Sequence, residues 1–278
     1  MPRARLVALL ACPLVLPLAL TGCTTAVVDN PADGVSVQLA QFRSDVTDRR
    51  LQLRVVNDGD SEITIGAASL ESDGLSEPAR WSGGSSRVPA GGARDLPVIL
   101  PAPDCDDSGA AVTVALTLES PEAMIMHVTP ADELDVLASV LRQDCFDLRV
   151  AERVTITPAA AIRTETRDGE LVALLDLDFE PTQPVTLLAV RGTNLLYPSS
   201  GASTWPFDTE LTDARTITLD IVPTRCDPHA VAEDKRGTLF PVELNLGDGP
   251  GLIYVPVSND VRGQLYDFVA AHCGWPAS

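Results

Sequence analysis

The feature that most limits how this chain folds is that it contains one pattern twice. Ala93-Arg94 leads into Leu96, Val98 and Leu100 and then Cys105-Asp106. Ala214-Arg215 leads into Ile217, Leu219 and Ile221 and then Cys226-Asp227, so alanine and cysteine are twelve residues apart in both copies. Downstream, Val112, Val114, Leu116 and Leu118 alternate with smaller or polar residues, as Phe240, Val242, Leu244 and Leu246 do, and a second cysteine follows as Cys145 or Cys273. These later elements are offset by 128 residues and the first cysteines by 121, so the second copy carries a seven-residue insertion between Asp227 and Phe240. Self-similarity of this kind predicts two units of one fold in tandem.

Strict alternation of apolar and polar residues marks half-buried strands. Further candidates are Val35 to Leu39, Leu51 to Val56, Ala173 to Phe179 and Val185 to Val190. Turn-forming clusters such as Asn57-Asp58-Gly59-Asp60 and Gly247-Asp248-Gly249-Pro250-Gly251 separate the strands. Before the last cysteine of each copy the period changes to that of a helix, with Leu137, Val140 and Leu141 matching Leu265, Phe268 and Val269. The expected fold is therefore mainly β, two tandem immunoglobulin-like β-sandwich repeats each closed by a C-terminal helix, spanning 35–147 and 148–278. With 45% hydrophobic residues, each unit has enough apolar surface for a core. Trp81 and Trp205 are expected to fill cores, and Trp275 to cover the final bridge.

The N-terminus reads as an address. Arg3 and Arg5 precede an apolar run from Leu6 to Leu20, interrupted by Pro13 and Pro17, about the length of a signal-peptide core and short for a membrane span. The run ends in Leu20-Thr21-Gly22-Cys23, which resembles the lipobox of bacterial lipoproteins at all four positions. That resemblance implies removal of a signal peptide, residues 1–22, and acylation of Cys23 as the new N-terminus. It also implies a lipid-anchored protein on the outer face of the cell membrane, with residues 23–34 as a lipidated tether. Two acyl chains anchor stably where one is marginal. Residue usage, with Lys235 the single lysine beside 19 arginines, suggests a GC-rich, actinobacterial genome.

Six cysteines divide accordingly. Cys12 leaves with the signal, Cys23 takes the lipid, and export permits disulfides among the other four. The repeat favours Cys105 with Cys145 and Cys226 with Cys273, one bridge per unit. An alternative in the second unit is a metal site made of Cys226, His229, His272 and Cys273. The first repeat argues against it, because Ser108 and Asp144 stand where the histidines would be.

Twenty basic residues against 39 acidic ones give a net charge of −19, the opposite of a nucleic-acid-binding footprint. Without Arg3 and Arg5 the balance is 18 against 39, or −21, so anchoring to membrane lipid falls to acylated Cys23. There is no Gly-x-Ser-x-Gly elbow, His-Glu-x-x-His helix, phosphate loop or dinucleotide fingerprint. Asp176 and Asp178 alternate along a strand and read as its solvated face. Asp58-Gly59-Asp60-Ser61-Glu62 begins like a calcium loop but puts Ile63 where glycine is required. The insertion is the distinctive local feature and supplies a candidate interaction loop: His229, Glu233, Asp234, Lys235 and Arg236. The expectation is a non-enzymatic binding or cell-envelope interaction protein, with no cofactor and an envelope protein as partner. The alternatives are a solute- or metal-binding lipoprotein and an envelope enzyme with an unrecognised site. A ligand-binding protein would show a cleft between the repeats, and an adhesion role an exposed apolar patch.

Overall fold

A computed structural model describes residues 26–28, 34–46, 48–106, 111–119, 124–232 and 236–275. Residues 1–22, Cys23, Asp107, Ser108, Glu233, Asp234 and Lys235 lie outside the described residues. The first repeat contains β1 (Ala26–Val28), β2 (Val35–Ala40), β3 (Arg50–Asn57), β4 (Ile63–Ser72), β5 (Ala79–Arg80), β6 (Ser86–Val88), β7 (Gly92–Ile99), β8 (Val112–Leu118) and β9 (Met124–Val128). Helix α1 (Val136–Arg153) follows. The second contains β10 (Val154–Pro158), β11 (Arg163–Arg167), β12 (Glu170–Pro181), β13 (Val185–Arg191), β14 (Leu196–Pro198), β15 (Thr204–Leu211) and β16 (Arg215–Pro223). It continues with α2 (Pro228–Ala232), β17 (Leu239–Asn245), β18 (Pro250–Pro256) and α3 (Asn259–His272).

The pairing repeats as the sequence does. In the first unit a β2-β3-β7 sheet faces a sheet of order β1-β9-β8-β4-β5, to which β6 adds on β4. In the second, β10-β12-β16-β14 with β11 on β12 faces β15-β13-β17-β18. Thus β2-β3-β7 corresponds to β10-β12-β16, and β4-β8-β9 to β13-β17-β18. The first, second and fifth principal strands share one sheet and the third, sixth and seventh the other, which is the immunoglobulin arrangement. Even a local irregularity recurs: the register of β4 slips between Ile65 and Ala67, and that of β13 between Leu187 and Ala189. Alternation explains the strands. In β2, Val35, Val37 and Leu39 are buried while Ser36 and Gln38 are exposed.

Each sandwich has its own core, built around Leu51, Leu53, Leu70 and Leu116 in the first and Leu175, Leu177, Phe179 and Phe240 in the second. Trp205 is buried in the second core; Trp81 and Trp275 are partly buried against the first and second respectively. Helix α3 begins at Ser258, whose hydroxyl accepts from Val261 N–H at 3.2 Å, and buries Val261, Leu265, Phe268 and Val269 as one stripe. Both expected disulfides are present, with Cα–Cα distances of 5.6 Å for Cys105–Cys145 and 5.4 Å for Cys226–Cys273. They suit an oxidising compartment outside the cytoplasm. No helix among the described residues is long and apolar enough to cross a membrane.

Two expectations are corrected. The boundary placed at 147/148 falls inside α1, because the apolar stripe does not stop at Cys145: Leu137 and Leu141 belong to the first core, Phe146 and Val150 to the second. The stretch 23–34 is not tether throughout, because Ala26–Val28 pair in parallel with Met124–Met126 of β9.

Candidate functional site

The repeats enclose a cleft of about 920 Å³ along α1, between the loop before β3 on one side and strands β10 and β18 on the other. Its first-repeat wall is shaped by a buried carboxylate. Asp45, 2% exposed, accepts from Phe42 N–H at 3.1 Å and from Gln52 Nε2 at 2.9 Å, which draws Phe42 and Gln52 together around it, with Val46 and Arg49 at the cleft. Arg49 is in the left-handed region at φ 49°, a conformation a β-carbon disfavours by roughly 1–2 kcal/mol. Its guanidinium fixes the loop to two other elements. Nε and Nη2 donate to Asp144 Oδ2 at 3.0 and 2.6 Å, Nη1 to Leu100 O at 3.1 Å and Nη2 to Pro101 O at 2.9 Å.

The floor is one face of α1. Its first free N–H groups are satisfied by Asp132, whose carboxylate accepts from Val136 and Leu137 at 2.7 and 3.1 Å. Val136, Val140, Gln143, Asp144, Asp147 and Ala151 then recur at helical spacing and line the cleft. Gln143 Nε2 ties the helix to the second repeat by donating to Leu252 O of β18 at 2.7 Å, and also to Asp147 Oδ1 at 2.8 Å. Nearby, Phe146 packs so closely on Gly251 that a β-carbon there would lie 2.3 Å from the ring. Packing around the Asp147 carboxyl raises its pKa; the Gln143 hydrogen bond opposes this and the charge of Asp144 adds to it.

The second-repeat wall is Ile156, Ile253, Tyr254, Val255 and Pro256. Arg236 joins it, with its guanidinium 4.7 Å from the centroid of the Tyr254 ring. The insertion that sets the second repeat apart therefore delivers a side chain to the cleft. Thr193 anchors this segment, its hydroxyl donating to Gly237 O at 2.8 Å. His229 points elsewhere: it is exposed on α2, its N–H bonded to Asp227 Oδ1 at 3.0 Å.

The alternative metal set is not assembled. The sulfurs of Cys226 and Cys273 are joined to each other, and His272 Nδ1 lies 2.7 Å from Leu171 O. No group of three or more His, Cys, Asp or Glu fit to hold a metal ion occurs among the described residues. Asp176 and Asp178 form part of a solvated ladder, accepting from Thr218 and Thr216, both at 2.6 Å. Sequence reasoning missed Arg49, Gln143, Asp144, Asp147 and Tyr254 as site residues. The available signal was the recurrence of Gln143, Asp144 and Asp147 on one helical face continuous with Val136 and Val140.

No family model and no curated protein matches this chain. Among solved structures it is similar to red sea bream transglutaminase (11% identity, TM-score 0.24), covering 82% of this chain and 32% of that one, so it spans about a third of that protein. It is also similar to the YadV chaperone (10% identity, TM-score 0.21, 80% and 100% of the two chains). A third is the Pseudomonas aeruginosa CupB2 chaperone (13% identity, TM-score 0.21, 85% and 99%). At these scores nothing about ligand or partner carries over, and the architecture rests on the strand pairing itself.

Proposed function

We propose that this chain is an exported lipoprotein, anchored to the membrane by acylated Cys23, that acts by non-catalytic binding in the cleft between its repeats. The observation that carries this reading is the cleft: about 920 Å³, within the usual range for ligand sites, with mainly apolar walls and a few converging polar groups. The lipobox resemblance at Leu20-Thr21-Gly22-Cys23 and the two disulfides support export. Placement of Arg236 at the cleft supports binding there, since the insertion that distinguishes the second repeat contributes to it.

Two measurements test the reading. In cells fed a clickable palmitate, the full chain should take up label and sediment with membranes, while Cys23→Ala should do neither; a labelled Cys23→Ala chain would overturn the anchor. In membrane vesicles, a neutral aromatic diazirine should photolabel the cleft walls. Labelling spread evenly over the surface would overturn the cleft as the binding site.

A further inference from the structure

The charged side chains that line the cleft each have a partner within the protein. Arg49 is engaged by Asp144 and two carbonyls, Asp147 by Gln143, and Arg236 lies over Tyr254. Beside the exposed Ser139 and Asp147, the large side chains that lack cover are apolar: Leu134 is 82% exposed at the lip, Val46 48% and Tyr254 46%. A polypeptide strand fits poorly against β18, although that strand is the edge of its sheet. The Leu252 carbonyl is already bonded to Gln143, and Pro250 and Pro256, which have no N–H, bound the strand. Alternation leaves Tyr254 between them to offer both groups outward, too little for a ladder. A net charge of −19 also disfavours a ligand recognised by negative charge, while a hydrocarbon chain is indifferent to it.

The geometry points to one occupant: we infer that the cleft takes a single acyl chain of a membrane lipid, lying along α1 beneath Leu134. This rests on the proposed reading of a membrane-anchored binding protein. The lining stripe from Val136 to Ala151 is about 22 Å long at 1.5 Å per residue. That exceeds the roughly 15 Å half-thickness of a bilayer core, so one extended chain has room. Supply is close at hand in the sequence, since β1 starts three residues after Cys23, the residue proposed to carry the lipid.

The test uses the full chain in membrane vesicles containing a phospholipid with a diazirine midway along one acyl chain. After illumination and digestion, adducts should fall on residues 134–151 and 253–256. Ala151 and Ser139 are exposed on α1 and line the cleft, so Ala151→Trp or Ser139→Trp should fill it without touching a core. Either variant, with disulfides and melting temperature retained, should cut those adducts about fivefold by denying the chain its buried surface. Labelling of residues 24–34 beside the anchor should not change. If the aromatic diazirine labels the cleft in a Trp-sensitive way but the acyl probe does not, the inference is overturned and the binding reading stands. If neither probe does so, both are overturned.

Discussion

Removing the Phe146 ring should abolish the cost of adding a methyl group at Gly251. The ring is 7% exposed and belongs to the second core, although its neighbour Cys145 is bonded to the first repeat through Cys105. Truncating a buried Phe to Ala costs about 3–5 kcal/mol, so Phe146→Ala alone should cost about 4 kcal/mol. In Gly251→Ala the new carbon would meet Cζ, Cε2 and Cδ2 of Phe146 at 2.3, 2.4 and 2.6 Å, so the ring and α1 must move away from β18. Overpacking of this kind costs about 1–3 kcal/mol. With the ring gone, the same methyl enters the vacated space, and Ala is favoured over Gly within a strand by about 0.5–1 kcal/mol. The double-mutant cycle should therefore show a coupling of about 2–3 kcal/mol. Calorimetry of the four proteins measures it. At roughly 2–4 °C per kcal/mol, Gly251→Ala should lower the melting temperature by several degrees in the wild-type background and not at all in Phe146→Ala. An equal drop in both backgrounds would refute the reasoning, because the helix would then not rest on β18 through this ring.

Other outcomes follow from the same contacts. Arg49→Ala should destabilise the protein by about 2–3 kcal/mol in denaturant melts by leaving Asp144 and two carbonyls without their donor. Arg49→Gly should recover about 1 kcal/mol of that, since glycine accepts φ 49° freely; a Gly variant no better than Ala would contradict the backbone argument. Replacing Cys105 and Cys145 by Ala releases a loop of 40 residues and should cost about 4 kcal/mol in the chain-entropy model, checked by differential scanning calorimetry. Asp147 is raised by burial, so the folded state holds its proton more tightly than the unfolded one and its ionisation opposes folding as pH rises through the folded pKa. Asp147→Asn should thus raise the melting temperature at neutral pH and lose that advantage in acid; a gain of equal size at all pH values would count against the assignment. Asp220 behaves oppositely: burial raises its pKa, but bonds from Ser199 and Trp205 prevail and lower it overall. Its contribution, present above the ordinary carboxylate range, should fade as pH falls below it, and a flat acid limb in Asp220→Asn relative to wild type would show this.

The features legible in the sequence were those written in local period and in duplication. Val35–Leu39 alternates because one face of β2 is buried, and Leu175–Phe179 does the same in the second half of β12, so both strands are legible directly. The disulfides were legible because two copies halve the pairing problem. Strands such as β10, β15 and β18 carry less regular patterns, broken by prolines at 158, 206, 250 and 256, and were not singled out. The helical period legible in the first repeat ends at Cys145, since Phe146 and Val150 serve the other repeat and continue the stripe beyond what one domain needs. Duplication makes a cleft between the repeats conceivable, but local period does not name its residues. Arg49 and Asp144 are 95 positions apart, and neither propensity nor spacing brings them together.

The two repeats also solve one hazard in the same way. An unpaired last strand invites other chains to add to it and so to aggregate. In the first repeat β9 is covered by β1, and in the second β18 is held by α1 through Gln143 and Phe146; each guard is the segment that comes immediately before its repeat. A duplicated unit that brings its own edge protection can be strung in tandem without exposing a sticky side at each junction. Cutting the chain at residue 148 would undo this for the second repeat alone, and the isolated domain, with β18 bare, should self-associate more readily than the uncut chain.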